Sequence, residues 1–299
     1  MYDLARALGV ELLAEDEQFL DENPVRPLAS DEAYAAALDE GERRALVDDP
    51  AEGPLGELLL LLGEVANLVC PDAKTALDGE ALFDAKRLGA SSDSAIVAMY
   101  PQVAKALGGP PTLLYTDPSK AAADLRLLLA SPPVVVVGQR FASLRARSRS
   151  DAEVDSDAEL RFRLGRMVEL SRPHRAFAAG SDKETFARLV AGLWHAFGKP
   201  DVEPTRDVAR EAERLRHALP VQLRRRMSER FATLSADELD LGGYLTACQR
   251  AADRAGLVAS GHIGLAVYIT GGLDRARHLV KLAASQKYFA ARKKLARRR

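Results

Sequence analysis

Apolar residues recur at helical spacing through most of this chain and cluster in strand-like runs in one stretch alone. Leu55, Leu58, Leu59, Leu62, Val65 and Val69 share one face of a helix drawn over 54–69, and further leucines widen the stripe until little of that helix can face water. Before it, helices are expected over 4–19 and 31–41, separated by Pro24 and Pro27, with Asp31 as N-cap and Gly41 past the end. Residues 71–94 read as an irregular connection. Helical periodicity resumes over 94–107, where Pro101 begins a new turn, and Gly108-Gly-Pro-Pro111 ends it.

From Thr112 the texture changes to three short runs, TLLYT, DLRLLLA and VVVVG, separated by Pro, Asp and Ser. No crossover helix fits between the second and third, so these two form a hairpin around Ser131-Pro-Pro133. A short helix over 141–147 and an exposed polar loop, RSRSDAEVDSD, follow. Everything after Asp157 reads helical, over 157–171, 182–198, 205–231, 236–258, 261–270 and 273–290. Asp157 and Ser181 are N-cap residue types, Ser181 opens a capping-box pattern with Glu184, and Pro220 kinks or splits its helix. No period of repeat-protein length is present. The pattern predicts a helix-dominant α+β fold with a small three- or four-stranded sheet packed on a helical core. Three regions are expected: an acidic helical segment over 1–94, a central domain over 95–272, and a C-terminal helix with a basic tail over 273–299.

Composition adjusts this picture in two places. With 47% hydrophobic and 28% charged residues in 299, the chain has the balance of a soluble globular protein, and it lacks both an 18-residue apolar run and a secretory signal pattern. A cytoplasmic protein without membrane insertion is expected. Cys70 and Cys248 lie far apart without metal-ligand spacing, so buried small hydrophobes are expected in place of a disulfide framework or zinc site. The net charge of −1 conceals an asymmetry: residues 1–60 hold 16 Asp/Glu against 4 Lys/Arg, whereas 287–299 hold seven bases and no acid. The two ends either attract each other or attract different partners. Arg292, Lys293, Lys294, Arg297, Arg298 and Arg299 could supply non-specific, salt-sensitive affinity for nucleic acid or an acidic surface.

The chemistry-bearing segment is Glu159 to Leu170, ELRFRLGRMVEL. Together with Pro133 to Gly138 (PVVVVG) and Ala251 to Leu257 (AADRAGL), in this order, it resembles the core of HtpX-like gluzincin metallopeptidases. It resembles still more closely the C-terminal region of some bacterial tetratricopeptide-repeat proteins, in which LGR replaces the zinc helix. The resemblance covers about 95–270 and implies where zinc ligands would lie. The two helix ligands, normally His at i and i+4, correspond to Arg166 and Leu170; the general base corresponds to Met167; the third ligand corresponds to Gln249. Arg offers no lone pair, Leu has none, Met cannot take a proton, and Gln is a weak neutral donor. No metal and no cofactor are expected. An ion pair of Arg166 with Asp253, or with Glu169 on its own helix, is expected at the vacated position.

The remaining candidates are weaker. His174, expected in a loop, and His195, His217, His262 and His278 show no ligand spacing. Gly261 to Gly264 and Gly271-Gly272 do not form a phosphate cradle. The arginines of 206–230 alternate with glutamates as on a solvated face, without the aromatics that stack single-stranded bases. The expected function is therefore a non-catalytic, peptidase-derived module that binds a protein partner by strand addition or helix docking. The alternatives are a hydrolase with displaced chemistry using Glu169, a histidine and Asp253, and an anionic-surface binder using the tail.

Overall fold

Four consecutive valines, Val134–Val137, are all buried, and the rest of the architecture follows from what covers them. In the computed structural model, residues 5, 11, 13–22, 33–48, 53–119, 124–144 and 151–296 are described. The expected helix start at Leu4, Pro24, Pro27, the Asp31 cap, residues 145–150 and Arg297, Arg298 and Arg299 lie outside them. The strand Val134–Val137 (β3) is central in a mixed three-stranded sheet of order β1-β3-β2. It runs parallel to Leu113–Thr116 (β1), with Leu113 opposite Val134, and antiparallel to Leu125–Leu128 (β2), with Leu128 opposite Val134. The expected hairpin around Ser131-Pro-Pro133 is thus the β2–β3 connection.

Strand periodicity sends alternate valines to opposite faces. Val135 and Val137 join Leu125 and Leu127 in the main helical core. Val134 and Val136 join Leu77, Leu82 and Leu128 in a smaller cluster on the other face. That second face is covered by a helix over Ala73–Gly79 and the turn after it, so the expected irregular connection over 71–94 is corrected. A continuous apolar strand needs cover on both sides, and this segment provides it.

The helices follow the expected stripes with shifted ends. The leucine stripe forms Pro54–Gly63, followed by a separate turn of helix over Ala66–Val69. The expected helix over 31–41 is a correction: 33–39 is not helical, and a helix (α2 in our numbering, α1 being Ala14–Glu22) covers Glu40–Val47. Asp39 and Glu42 form its capping box, each side chain accepting from the other's backbone N–H at 2.8 and 2.9 Å. Ala95–Leu107 is one helix with Pro101 inside it. The polar stretch from Asp151 is the start of a 20-residue helix, Asp151–Leu170, which we call the first motif helix; Asp157 is internal to it and is not a cap. The short helix placed at 141–147 spans Gln139–Ala142.

Further along, Pro173–Ala179 is helical, so His174 is in a helix and not a loop. Asp182, not Ser181, caps Lys183–Phe197 through the Thr185 N–H at 2.8 Å. Pro220 splits the next stretch into Arg206–Ala218 and Val221–Phe231. The second motif helix is Leu241–Ser260, opened by Asp240 and closed by Gly261 at φ 72°. Ile263–Ile269, Leu273–Ala283 and Gln286–Ala296 complete the chain, the last two replacing one expected helix. The main core runs without a break from Leu38 and Leu46, near the start, to Leu295 in the last helix. Among the described residues no helix is long and apolar enough to cross a membrane.

Candidate functional site

The two motif helices cross closely, because each places a glycine at the crossing. A β-carbon on Gly165 would stand 2.7 Å from the Ala255 carbonyl oxygen, and one on Gly256 would stand 2.7 Å from that of Phe162. This approach sets the residue after Gly165 beside one turn of the second helix. Arg166 Nη2 donates to Gln249 Oε1 at 3.1 Å, and Arg166 Nε lies 2.9 Å from Asp253 Oδ1. Gln249 and Asp253 are four residues apart and therefore share a face. The Nε–H vector misses the carboxylate, since neither atom makes a hydrogen bond despite the short distance. The contact is an ion pair by charge and proximity. His278, from the helix Leu273–Ala283, brings Nε2 to 3.5 Å from Asp253 Oδ2 on the other side. The sequence carried no signal for that histidine, which arrives from 25 residues downstream through the path of the chain.

Met167 and Leu170 do not join this group; both are buried in the hydrophobic core. Glu169 is also placed elsewhere, as the centre of a buried cluster that sequence reading missed. It is fully buried and accepts from Arg43 Nη1 at 2.5 Å, from Arg172 Nε through both oxygens at 3.1 Å, and from Arg175 Nη1. Arg43, 126 positions away on α2, also donates to Glu40 at 2.7 and 3.0 Å. Arg172 Nη2 closes the end of Ala95–Leu107 by donating to the Leu107 carbonyl at 2.8 Å. The Arg43 hydrogen bond, with help from Arg44 and against the effect of burial, pulls the Glu40 carboxyl down to about 2. Three guanidiniums and two carboxylates thus tie four helices together. Glu169, enclosed in this way, has no access to water.

The other candidates resolve as packing or caps. His174 is buried, and its carbonyl accepts from the Tyr244 hydroxyl at 2.6 Å. His262 Nδ1 accepts from the Leu265 N–H and caps Ile263–Ile269. His217 sits on the surface beside Glu213, and His195 lies in the last turn of its helix. Cys248 is buried in the core; burial raises the half-buried Cys70 thiol to about 12 although Arg214 opposes it, so no thiolate forms at neutral pH. Among the described residues, no three His, Cys, Asp or Glu side chains converge as a metal-binding group.

The basic end is partly spent inside the fold. Arg292 Nη1 donates to the Val258 carbonyl at 2.9 Å, meeting the negative end of the second motif helix. Lys294 Nζ pairs with Glu42 at 2.6 Å, joining the acidic start to the basic end. Lys293 faces solvent. Comparison with protein-family models, curated proteins and solved structures finds no match for this chain.

Proposed function

We propose that this protein is a non-catalytic binding module in which a peptidase-like pair of helices serves as scaffold. One observation supports it above the others. The position that the motif resemblance assigns to metal chemistry holds a guanidinium lodged between an amide and a carboxylate, Arg166 between Gln249 and Asp253. An arginine cannot give up its proton to ligate a metal, and it already stands beside Asp253 as a counter-charge. The alternative hydrolase loses its best candidate because Glu169 is sealed beneath three arginines. Tail-mediated binding is weakened by the internal contacts of Arg292 and Lys294.

Strand addition at β1 is disfavoured, because that edge is already occupied. The outer edge of β1 is occupied by the 86–88 segment, where Leu88 N–H bonds Leu114 O and Thr116 N–H bonds Lys86 O, both at 2.9 Å. On the β2 side, Gly180 O accepts from Leu129 N–H at 2.8 Å just beyond the strand. Strand addition needs an open edge.

The reading is tested by incubating the purified chain with excess zinc, removing free metal, and measuring retained metal by elemental analysis alongside hydrolysis of an unfolded protein substrate. Neither stoichiometric zinc nor cleavage is expected. One equivalent of zinc lost in Gln249→Ala, or cleavage lost in Asp253→Asn, would overturn it.

A further inference from the structure

An unassigned concavity lies beside His278, between the second motif helix and the helix Leu273–Ala283. It encloses about 500 Å³. Its walls follow from helical spacing: Gly243, Ala247, Arg250 and Arg254 recur every three or four residues along one helix, and Asp274, Arg277, His278 and Lys281 share one face of the other. With Arg275 added, five permanent cations line the cleft against two carboxylates, Asp48 and Asp274.

Each carboxylate already has its own cation. Asp48 pairs with Arg254 at 2.8 Å, and Asp274 pairs with Arg277 at 3.0 Å. Arg250, Arg275 and Lys281 have no carboxylate partner among the described residues, so an excess of three positive charges faces one space. A solvated basic face on a single helix would spread such charges outward. Here they converge from two helices on a concave surface whose low-dielectric walls strengthen the field.

We propose that this cleft binds a compact polyphosphate group, the ligand whose charge and geometry match it. A monovalent anion leaves most of the excess uncompensated. Guanidinium forks fit tetrahedral phosphate oxygens, and two of the three uncommitted cations are arginines. No Phe, Tyr or Trp lines the cleft, so it has no platform for a nucleobase and reads the phosphate chain alone. The proposal goes beyond the scaffold reading and stands independently of it, since no step uses Arg166 or Gln249.

The test is calorimetric titration of the intact chain with sodium tripolyphosphate, with ATP and with hexaglutamate. Tripolyphosphate and ATP are expected to bind one to one with similar affinity and hexaglutamate more weakly. Raising salt from about 50 to about 300 mM is expected to weaken binding by about tenfold. The triple variant Arg250→Gln, Arg275→Gln, Lys281→Gln should lose tripolyphosphate binding while its circular dichroism and Tm stay unchanged. A control with the same charge change at exposed positions away from the cleft, Lys183→Gln, Arg206→Gln, Arg210→Gln, should bind like the parent. Absence of tripolyphosphate binding, equal loss in both triple variants, full retention in the cleft variant, or tighter binding of hexaglutamate or of ATP would each overturn the proposal. Should the cleft variant fail to fold, Lys281→Glu alone, on the rim of the cleft, must weaken binding or the assignment is wrong.

Discussion

Gly165 and Gly256 meet where the two motif helices cross: a β-carbon on Gly165 would stand 2.9 Å from the Gly256 Cα. The glycines in LGR and RAG are therefore packing residues, and the spacing they enforce is what brings Arg166 to Gln249 and Asp253. At this crossing the packing is in place around the ion pair of Arg166 with Asp253.

Substituting either glycine tests that account. The nearest obstacle to each methyl group is a backbone carbonyl oxygen, which cannot swing aside, so Gly165→Ala and Gly256→Ala are each expected to cost about 1–3 kcal/mol. Gly89→Ala, where no atom lies within 4 Å of the added carbon, is the control and should change stability little. Urea unfolding of the three variants measures the difference. Equal stability of all three would refute the close crossing.

Glu169 carries a larger share. Glu169→Gln keeps the shape but leaves Arg43, Arg172 and Arg175 around a neutral amide, and an uncompensated buried charge costs about 3–5 kcal/mol. Loss of much of the folded population at 37 °C, followed by circular dichroism, is the expected outcome. A variant within about 0.5 kcal/mol of the parent would show that the cluster is not stabilising in the way its geometry indicates.

Arg166 and Asp253 should behave as a coupled pair. Arg166→Met removes the nearest cation from a mostly buried carboxylate, at a cost of about 1–3 kcal/mol. Adding Asp253→Asn to that background should then cost less than Asp253→Asn alone. Strict additivity in the double-mutant cycle would mean that the two groups do not interact.

The acid limb of stability is expected to involve Glu40. Its carboxyl is held at about 2 in the folded chain, against an ordinary 4.5, chiefly by the hydrogen bond from Arg43. A group with a depressed folded pKa stabilises fully above its unfolded value and loses that contribution as pH falls through the folded one. Tm should therefore fall between about pH 4.5 and 2, and Glu40→Gln should flatten part of that fall. About half of the Glu40 side chain faces water, so screening keeps the effect modest. An unchanged acid limb in Glu40→Gln would remove Glu40 from the account.

The sequence by itself determined the helix-dominant α+β class, the β2–β3 hairpin, the break at Pro220 and the core placement of Cys248. Each is written in local periodicity, in a turn residue or in an apolar stripe. It misplaced the helix at 31–41 because Gly41 reads as a helix stop, whereas the flanking Asp39 and Glu42 form the capping box that opens a helix there. What covers the outer face of the sheet, which arginines enclose Glu169, and that His278 reaches Asp253 were decided by tertiary structure. The physical reason is common to all three. Arg43 and Glu169 are separated by 126 residues, and the cationic cleft is drawn from Asp48 and two later helices. Local pattern states which face of each helix is polar, but only the packing of helices against one another determines which polar faces meet.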